Sequence, residues 1–568
     1  MNGAERICAT LEALGVRTVF GLPGTQNVVL YDALRRSSLR SVVASDEGAA
    51  AFMAAGYSRA TGVIGVLTTI PGPGFVYALA GAVEARHDSV PLLWLTLRQP
   101  DDGQAYPLQR IDQVAMATPV VKRCLQVEAA EELADSLIAG FREALSGEPG
   151  PVLIQIAAHL LLQSAPAPTS AAAYQVASAP PGWIAPPQFL ERLQNARRPV
   201  LFVGQGAQGA AARLRQFAER WRAPVLFTSS GRGVLPDTHA FAFVTDFSFE
   251  IGAALPALID RSDLVLALGC KFTHNGSAAG RLRLPSERLV RIDTSSEVLA
   301  ANYPAALALC ARTEDVVPAL QHAVTEPSQW SDVELADLRA RFAREREEPI
   351  AHEPTIATAG GGQPVTRLFA AMSNAFGSDV VYTADAGLHQ ALTRRYANVV
   401  SPRGLLCPSD FQSMGFGLPG AIGAALARPR ATVVACVGDG ALTLSLGELL
   451  TAVREAVDLV VVVFNDGAYG LIRRQQLLTF GHPAGTDLHR LDYSALAAAV
   501  GCSYFPLDSD PAAVMQTVAR AKGVRLVEVV LGDAPSLGTQ GAKAVMREKL
   551  ARALPDGALQ VLKRLLRR

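Results

Sequence analysis

The fold is decided by the stretch Thr432–Gly470, which reads TVVACVGDGALTLSLGELLTAVREAVDLVVVVFNDGAYG. Two short runs of apolar, largely β-branched residues, Thr432–Val437 and Leu459–Phe464, predict buried strands of a parallel sheet. The residues from Ser445 to Val457 have helical periodicity and predict the helix that connects the two strands. We therefore predict a strand-helix-strand unit here.

Acidic residues follow both predicted strands, at the ends where parallel sheets bind ligands. Asp439 lies in the turn Gly438–Gly440, and Asp466 lies in the turn Asn465–Gly467. If the strands are neighbours, their ends are about 5 Å apart, so the two carboxylates can share one cation. The glycines would let a diphosphate approach the backbone amides, and Mg²⁺ prefers carboxylate and phosphate oxygens. Either turn alone is a common loop, but their joint placement favours a metal and diphosphate site.

The chain as a whole has no charge bias and a large apolar fraction. Of its 568 residues 49% are hydrophobic, and 52 Lys and Arg balance 52 Asp and Glu. The balanced charge argues against a nucleic-acid partner, which would be held through its phosphates. The apolar runs are far shorter than the about 20 residues of a membrane span, so no membrane partner is expected.

Apolar β-branched runs alternate with Ala-rich helical patterns along the chain, which is typical of parallel sheets covered by helices on both faces. We therefore predict the α/β class, with three doubly wound parallel-sheet domains. Two stretches rich in Pro, Gly, Ser and Ala, within 164–182 and 347–363, are interpreted as linkers. They delimit predicted domains at 1–165, 183–335 and 360–545, followed by a basic C-terminal helix at 546–568.

Seven cysteines are scattered along the chain without a pair or a Cys/His cluster at metal-ligand spacing. Together with an N-terminus that lacks the pattern of an export signal, this predicts a protein of the reducing cytoplasm. In the predicted middle domain, an apolar run leads into Gly204-Gln205-Gly206. This pattern leaves two interpretations open, a bound dinucleotide or a plain tight turn.

The motif with Asp439, followed 27 positions later by Asp466, resembles the thiamin-diphosphate motif. Over about residues 1–545 the chain resembles the family of acetolactate synthase, pyruvate oxidase, benzoylformate decarboxylase and benzaldehyde lyase. The resemblance implies that Mg²⁺ is held by Asp439, Asp466 and the main-chain carbonyl of Ala468. The family more often has Asn where this chain has Asp466. Further cofactor contacts implied around this motif are Gly438, Gly440, Ala441 and Tyr469.

A second resemblance lies in the first domain, where a predicted strand is followed by Asp46-Glu47 and then by the segment Gly56–Gly62. Acids in the first turn of a helix are favoured by its dipole, which is the simpler interpretation of both. The family pattern implies instead that Glu47 is the catalytic carboxylate, hydrogen-bonded to the pyrimidine ring of the cofactor. The apolar run Gly48–Met53 would raise its pKa. In the family this glutamate reaches a cofactor held by the partner subunit, which implies a homodimer at minimum and an expected homotetramer.

Other positions are assigned from the same resemblance. Met414 corresponds to the apolar residue that holds the cofactor in its bent conformation, although a core filler is nearly as good an interpretation. The remaining implied residues are Gly387 and His389 for the diphosphate, Gln113 as a catalytic residue, Thr25 and Gln26 as substrate contacts, and Leu471 and Ile472 as the lining of an acyl pocket.

The implied function is a thiamin-diphosphate- and Mg²⁺-dependent enzyme that decarboxylates a 2-oxo acid and transfers the acyl carbanion to a second carbonyl, as acetolactate synthase does. Its small-molecule partners would be a 2-oxo acid and an aldehyde or second 2-oxo acid. Simple decarboxylation, cleavage of acyloins or 2-hydroxyacyl thioesters, and a degenerate relative that binds cofactor without chemistry are the alternatives. FAD in the middle domain is a further alternative that is not expected.

Overall fold

The computed structural model describes residues 1–99, 108–166, 183–247, 251–348 and 353–532. Most of the first predicted linker, the end of the third predicted domain and the basic helix predicted at 546–568 lie outside these residues. Within them, three parallel sheets of six strands each follow one another along the chain, flanked by helices. The predicted α/β class with three doubly wound sheets is confirmed, whereas the exact domain boundaries stay predictions.

The first sheet is built from the N-terminal part of the chain. Its strands are β1 (Thr18–Gly21), β2 (Arg40–Val43), β3 (Gly65–Thr69), β4 (Leu92–Arg98), β5 (Arg123–Val127) and β6 (Pro151–Ala157). Its helices are α1 (Gly3–Ala13), α2 (Val28–Arg36), α3 (Glu47–Thr61), α4 (Pro73–His87), α5 (Gln113–Ala117) and α6 (Leu133–Leu145). The strand order is β2-β1-β3-β4-β6-β5.

The middle sheet has a different strand order. Its strands are β7 (Pro199–Val203), β8 (Val225–Phe227), β9 (Ala242–Phe243), β10 (Leu264–Leu268), β11 (Leu289–Asp293) and β12 (Leu307–Cys310). Its helices are α7 (Pro187–Asn195), α8 (Ala211–Trp221), α9 (Ala254–Arg261), α10 (Ser296–Ala300), α11 (Thr313–Ala323) and α12 (Asp332–Glu347). The order β12-β11-β10-β7-β8-β9 is that of dinucleotide-binding domains, read from the opposite edge.

The stretch predicted as the second linker contains a regular element. A hairpin of β13 (Thr355–Thr358) and β14 (Gly361–Pro364) pairs in antiparallel register, and Ile356 forms an isolated bridge to Leu531. The glycines near 360 therefore form a hairpin turn that packs on the third domain, and the interpretation of this part as a linker is wrong. Composition alone does not separate a tight turn from a linker, because both favour glycine.

The third sheet repeats the strand order of the first. Its strands are β15 (Val380–Ala384), β16 (Leu405–Leu406), β17 (Thr432–Gly438), β18 (Leu459–Asn465), β19 (Ser503–Pro506) and β20 (Val524–Val530), in the order β16-β15-β17-β18-β20-β19. Its helices are α13 (Val365–Phe376), α14 (Leu388–Tyr396), α15 (Gly417–Ala427), α16 (Asp439–Leu444), α17 (Glu448–Arg454), α18 (Gly470–Phe480), α19 (Tyr493–Val500) and α20 (Pro511–Arg520).

The first and third domains join where α3 packs on α15. A Cβ atom added to Gly56 would lie 2.2 Å from the carbonyl oxygen of Gly420, and one added to Gly423 would lie 2.0 Å from that of Met53. Glycine is thus required for the backbones to approach. The surrounding side chains form one hydrophobic core that runs through both domains. This packing fixes the start of α3, with Glu47, relative to the third sheet.

Candidate active site

The acids that follow β17 and β18 meet at one edge of the third sheet. The two strands are parallel neighbours, with Gly438 paired to Phe464 at their ends. Asp439 begins α16, and its carboxylate accepts hydrogen bonds from the amides of Gly440 (2.9 Å) and Gly467 (2.8 Å). Asp439 is therefore tied to the turn that carries Asp466.

The two carboxylates form an electrostatically unfavourable pair. Burial raises the pKa of Asp439, and burial together with the charge of Asp439 raises the pKa of Asp466 to about 6. Asp466 accepts a hydrogen bond from the amide of Ala468 (3.2 Å), whose own carbonyl accepts one from Gly470 (2.8 Å) and keeps a second lone pair. A divalent cation between the two acids would relieve their repulsion.

No group of three or more His, Cys, Asp and Glu side chains that could hold a metal ion occurs in the part of the chain that the structure describes. A cation at Asp439 and Asp466 would therefore complete its shell with a main-chain carbonyl and with oxygens that are not from protein side chains. Mg²⁺ is commonly bound in this way, by one or two carboxylates, phosphate oxygens and water. The donor set fits a magnesium diphosphate.

His389 lies beside this edge of the sheet and provides a second indication that a ligand binds there. Its ring is buried, and its Nε2 atom has no hydrogen-bond partner among the described residues. Burial lowers the pKa of His389 to about 3, so the imidazole is neutral. A Cβ atom added to Gly387 or Gly438 would lie 2.6 or 2.9 Å from the ring, so the two glycines make room for it. A buried nitrogen without a partner is costly unless a ligand satisfies it. The negative charge of a bound diphosphate would raise the pKa of His389, and Nε2 of the protonated ring would then donate to a diphosphate oxygen.

Glu47 occupies the start of α3 in the first domain. Asp46 caps the helix by accepting a hydrogen bond from the Ala49 amide (2.9 Å), so the Asp46 side chain is used structurally. Glu47 is 8% exposed, and a Cβ atom at Gly74 would lie only 2.4 Å from its Oε1 atom. Burial is the main cause that raises its pKa, and the neighbouring charge of Asp46 adds to it. The upward direction of this shift is the one expected for a carboxylate that exchanges protons, which is the predicted role of Glu47.

Tyr31, on α2, is a neighbour of Glu47 that the sequence did not reveal. Its hydroxyl is buried without a hydrogen-bond partner in the described part of the chain. Burial and the charge of Glu47 raise the pKa of Tyr31, so the hydroxyl keeps its proton. A lone tyrosine in an amphipathic helix gives no sequence signal for this position.

Two glutamines of the first domain have different surroundings. Gln113 is buried, where it accepts a hydrogen bond from Thr96 (2.9 Å) and donates one to the carbonyl of Leu97 (2.9 Å). Both ends of its amide thus bond to β4, and a catalytic role of Gln113 stays a prediction. Gln109 is the glutamine at the edge of the sheet, where its side chain accepts a hydrogen bond from Gln26.

Several predicted pocket residues are apolar and exposed in the single chain. Met414, Tyr469 and Leu471 are 37–38% exposed, and Ile472 is 47% exposed. Tyr469, Leu471 and Ile472 follow the turn Asn465–Gly467 in the chain, while the exposed Thr25 lies in the first domain. Nothing in the described part of one chain covers these apolar side chains.

The two halves of the predicted site belong to different domains. The groups that affect Glu47 belong to the first domain, whereas those that affect Asp439 and Asp466 belong to the third. No hydrogen bond or charge interaction between the described residues links Glu47 to either aspartate. Ala441 is buried behind Asp439.

The middle domain contributes to a separate cavity of about 890 Å³ at the junction of the three domains. Gly206 borders it, but a Cβ atom on Gly204 or Gly206 would lie within 3 Å of the Gly269 backbone. Close packing of two turns therefore accounts for both glycines of the predicted motif. They provide no argument for FAD, and its expected absence stays a prediction.

The chain matches three family models in sequence. They describe the N-terminal TPP binding domain of thiamine pyrophosphate enzymes over residues 1–116, the central domain over 187–320, and the C-terminal TPP binding domain over 385–529. Each match falls on one of the three sheets.

Curated relatives agree with this assignment. The chain is 32% identical over 520 residues to a probable 2-ketoarginine decarboxylase of Pseudomonas aeruginosa, covering 89% of each chain. It is 29% identical over 549 residues to the acetolactate synthase isozyme 1 large subunit of Escherichia coli, covering 93% of each. A probable acetolactate synthase large subunit of Methanocaldococcus jannaschii is 28% identical over 502 residues, which cover 85% of this chain and 83% of that one.

The fold, the carboxylate pair and these matches define a thiamin-diphosphate-dependent enzyme. The chain belongs to the thiamine pyrophosphate enzyme family, as the sequence resemblance predicted.

Proposed function

We propose that the protein is a Mg²⁺- and thiamin-diphosphate-dependent carboligase that decarboxylates a 2-oxo acid and joins the remaining acyl unit to a second carbonyl compound. The observation that carries the proposal is the carboxylate pair Asp439 and Asp466 beside the buried Nε2 atom of His389. A magnesium diphosphate would place a cation between the two acids and anionic oxygens beside the imidazole.

Residues of the third domain would bind the cofactor. Asp439, Asp466 and the Ala468 carbonyl would hold Mg²⁺, while His389 and the backbone near Gly387 and Gly438 would contact the diphosphate. When bound, thiamin diphosphate supplies a nucleophilic carbon and an electron sink for decarboxylation. The protein would orient the bound thiamin diphosphate and exclude water from it.

Glu47 would act on the pyrimidine end of the cofactor by exchanging a proton at a ring nitrogen. Its burial supports this role because a pKa raised toward neutrality allows it both to hold and to release the proton. The Tyr31 hydroxyl, which stays protonated, would favour the ionised form of Glu47 if it turned toward the carboxylate.

The substrate would enter beside α18. Leu471 and Ile472 are exposed, shortly after the turn that carries Asp466, and offer an apolar surface for an acyl side chain. Thr25, Gln26 and Gln109 would face it from the first domain, where their polar groups can bind a carboxylate or carbonyl oxygen.

A homodimer would bring the two halves of the site together, and two dimers would form a tetramer. The proposal is supported by the separation of Glu47 from Asp439 and by the exposed apolar side chains around each. Its expected compartment is the cytoplasm, which agrees with seven unpaired cysteines, all in the described part of the chain. No described helix is long and apolar enough to cross a membrane.

Carboligation is favoured because the relatives include several acetolactate synthases. Simple decarboxylation is the second candidate, and the 32% identity to a probable 2-ketoarginine decarboxylase supports it. Neither relative assigns the substrate of this chain.

The test is product analysis with the full chain, Mg²⁺ and thiamin diphosphate. The protein is incubated with a panel of 2-oxo acids, alone and with aldehydes, and both carbon dioxide and organic products are quantified by mass spectrometry. A carboligase gives a coupled hydroxyketone or 2-hydroxy-3-oxo acid product, whereas a decarboxylase gives one aldehyde per carbon dioxide. Cleavage of added acyloins without use of any 2-oxo acid would contradict both candidates and support the lyase alternative.

A further inference from the structure

The segment that carries Met414 is held from both sides by buried carboxylates of different domains. It runs between β16 and α15, as residues 407–416. The amide of Ser413 donates a hydrogen bond to Glu84 of α4 (3.0 Å), and the amide of Gly415 donates to Asp385, which follows β15 (3.0 Å). Met414 therefore lies between two amides that are anchored separately.

Asp385 holds the segment on the third-domain side. It is fully buried and also accepts a hydrogen bond from the amide of Gly417 (2.6 Å), the first residue of α15. These bonds are local to the third domain. They fix one side of Met414 regardless of where the first domain lies.

Glu84 provides the anchor on the first-domain side, as part of a buried cluster. Its Oε1 atom lies 3.9 Å from the guanidinium of Arg59, which also pairs with Asp88. Arg59 donates to the carbonyl of Cys407 (2.6 Å), and Asp88 accepts from the amide of Ser409 (3.1 Å). Arg59 and Asp88 thus hold the beginning of the segment, and Glu84 bonds to Ser413, the residue before Met414.

A fully buried carboxyl group is a costly way to hold one amide, because burial penalises its charge. A neutral side chain would fill the space between α4 and the segment at less cost. The placement of Glu84 is therefore better explained by the position it imposes on the segment than by its contribution to stability.

We propose that Glu84 is a positioning residue: by fixing the Ser413 amide from the first domain it sets the position of Met414, and through Met414 the binding of thiamin diphosphate. The inference deepens the proposed function and rests on the role proposed there for Met414. It does not require Glu84 to touch cofactor or substrate.

The experiment measures the dissociation constant of thiamin diphosphate, in the presence of Mg²⁺, by calorimetry on the full chain. Glu84→Ala removes the acceptor and is expected to weaken binding about tenfold, which corresponds to the loss of one hydrogen bond to a charged group. Glu84→Gln keeps an acceptor for the Ser413 amide and is expected to bind within about twofold of the wild type. Should the alanine variant fail to fold, Glu84→Asp shortens the reach by one methylene and is expected to weaken binding in the same direction.

The matched control is Asp237→Ala, which removes another buried carboxylate at a domain junction, where it accepts from the Val399 amide (2.9 Å). Its thermal midpoint is expected to fall while its cofactor affinity stays unchanged. An equal affinity of the Glu84→Ala and Asp237→Ala proteins would overturn the inference.

A double-mutant cycle tests the route through Met414. If Glu84 acts by placing Met414, then Met414→Ala weakens binding, and adding Glu84→Ala weakens it little further. Independent, multiplying effects would overturn the inference while leaving the Met414 role intact. Unchanged binding by Met414→Ala alone would overturn both, whereas loss of binding in the wild type would contradict the cofactor assignment itself.

Discussion

Glu47 is almost fully buried at the first position of α3. We predict that Glu47→Gln, which keeps the volume and removes the proton exchange, lowers turnover by about 10²- to 10⁴-fold. Thiamin diphosphate binding should be retained, since Glu47 is remote from the diphosphate site. Steady-state kinetics and calorimetry on the same preparation check both parts. Turnover equal to that of the wild type would refute the role of Glu47.

Asp466 adds a second negative charge where the family more often has an amide. We predict that Asp466→Asn weakens the affinity for Mg²⁺ roughly tenfold, because one carboxylate ligand loses its charge. Turnover at saturating Mg²⁺ should be largely retained, since an amide oxygen remains. Titration of Mg²⁺ in the presence of thiamin diphosphate measures the change. An unchanged Mg²⁺ affinity would show that Asp466 is not a ligand.

We predict that the buried carboxyl group of Glu84 makes the stability of the protein depend on pH. Burial and the charge of Asp88 raise its pKa to about 7 from an ordinary value of 4.5. The folded state therefore binds a proton on Glu84 more tightly than the unfolded state does. The contribution of this proton to the free energy of unfolding is complete below about pH 4 and is lost as the pH rises through 7. Glu84→Gln has no proton to lose, so its stability relative to the wild type should increase between pH 5 and 8 by up to about 3 kcal/mol.

Thermal and chemical unfolding of the two proteins without cofactor, at pH 5 and pH 8, provide this comparison. Glu297→Gln, which replaces an exposed acid of α10, supplies the background. A constant difference between wild type and Glu84→Gln across this range would rule out a buried proton on Glu84.

The glutamines show where residue-scale prediction reached its limit. Gln109 and Gln113 are four residues apart, and either could face the sheet edge in an amphipathic pattern. Only the packing of the short α5 on β4, fixed by Thr96 and Leu97, decides that Gln113 points into the core. A side chain's direction in a five-residue helix depends on tertiary contacts that periodicity does not encode.

At the scale of elements, the strands of the deciding stretch were predictable and the helix between them was less so. The apolar runs at Thr432–Val437 and Leu459–Phe464 became β17 and β18 almost residue for residue. The helix predicted over Ser445–Val457 is found as the shorter α17 (Glu448–Arg454), and a separate short helix, α16 (Asp439–Leu444), precedes it. Ser445 and Gly447, which have low helix propensity, lie between the two helices.

The crossing of α3 and α15 yields a prediction about stability. Gly56→Ala in an ordinary helix interior would stabilise by about 1 kcal/mol, because alanine has the higher helix propensity. Here the added Cβ atom would meet the carbonyl oxygen of Gly420 at 2.2 Å, so the helices must separate. We therefore expect a loss of roughly 1–3 kcal/mol instead.

The thermal midpoint of the Gly56→Ala protein shows whether the substitution lowers or raises stability. Gly360→Ala is the control, because a Cβ atom there would have its nearest neighbour at 3.9 Å. A midpoint of Gly56→Ala at or above that of the wild type would show that the two helices do not cross as closely as described.

At the scale of the whole molecule, the first and third sheets share one strand order that the sequence did not reveal. Strand order depends on which crossover each connection makes, and side-chain patterns record burial rather than neighbours. The resemblance implied a site built from both domains. No described interaction links Glu47 to Asp439 within one chain, and the proposed dimer would make the molecule's function depend on how two chains associate.

Complementation tests this dependence directly. Glu47→Gln damages the first-domain half of the site, and Asp439→Ala damages the third-domain half. If each site combines Glu47 of one chain with Asp439 of another, a mixed dimer holds one intact site and one doubly damaged site. A refolded equimolar mixture should then recover about a quarter of wild-type turnover, since half of the dimers are mixed.

The same variants refolded separately give the baseline, and sedimentation confirms that all samples have one oligomeric state. Tyr77→Glu, at a 61% exposed side chain on α4, should dissociate the dimer and abolish the recovery, whereas Val333→Glu, 79% exposed on α12 of the middle domain, should not. A mixture no more active than its components would mean that both halves come from one chain. The exposed apolar side chains beside Glu47 and Asp439 would then need a different partner, because surface of this kind is not stable in water.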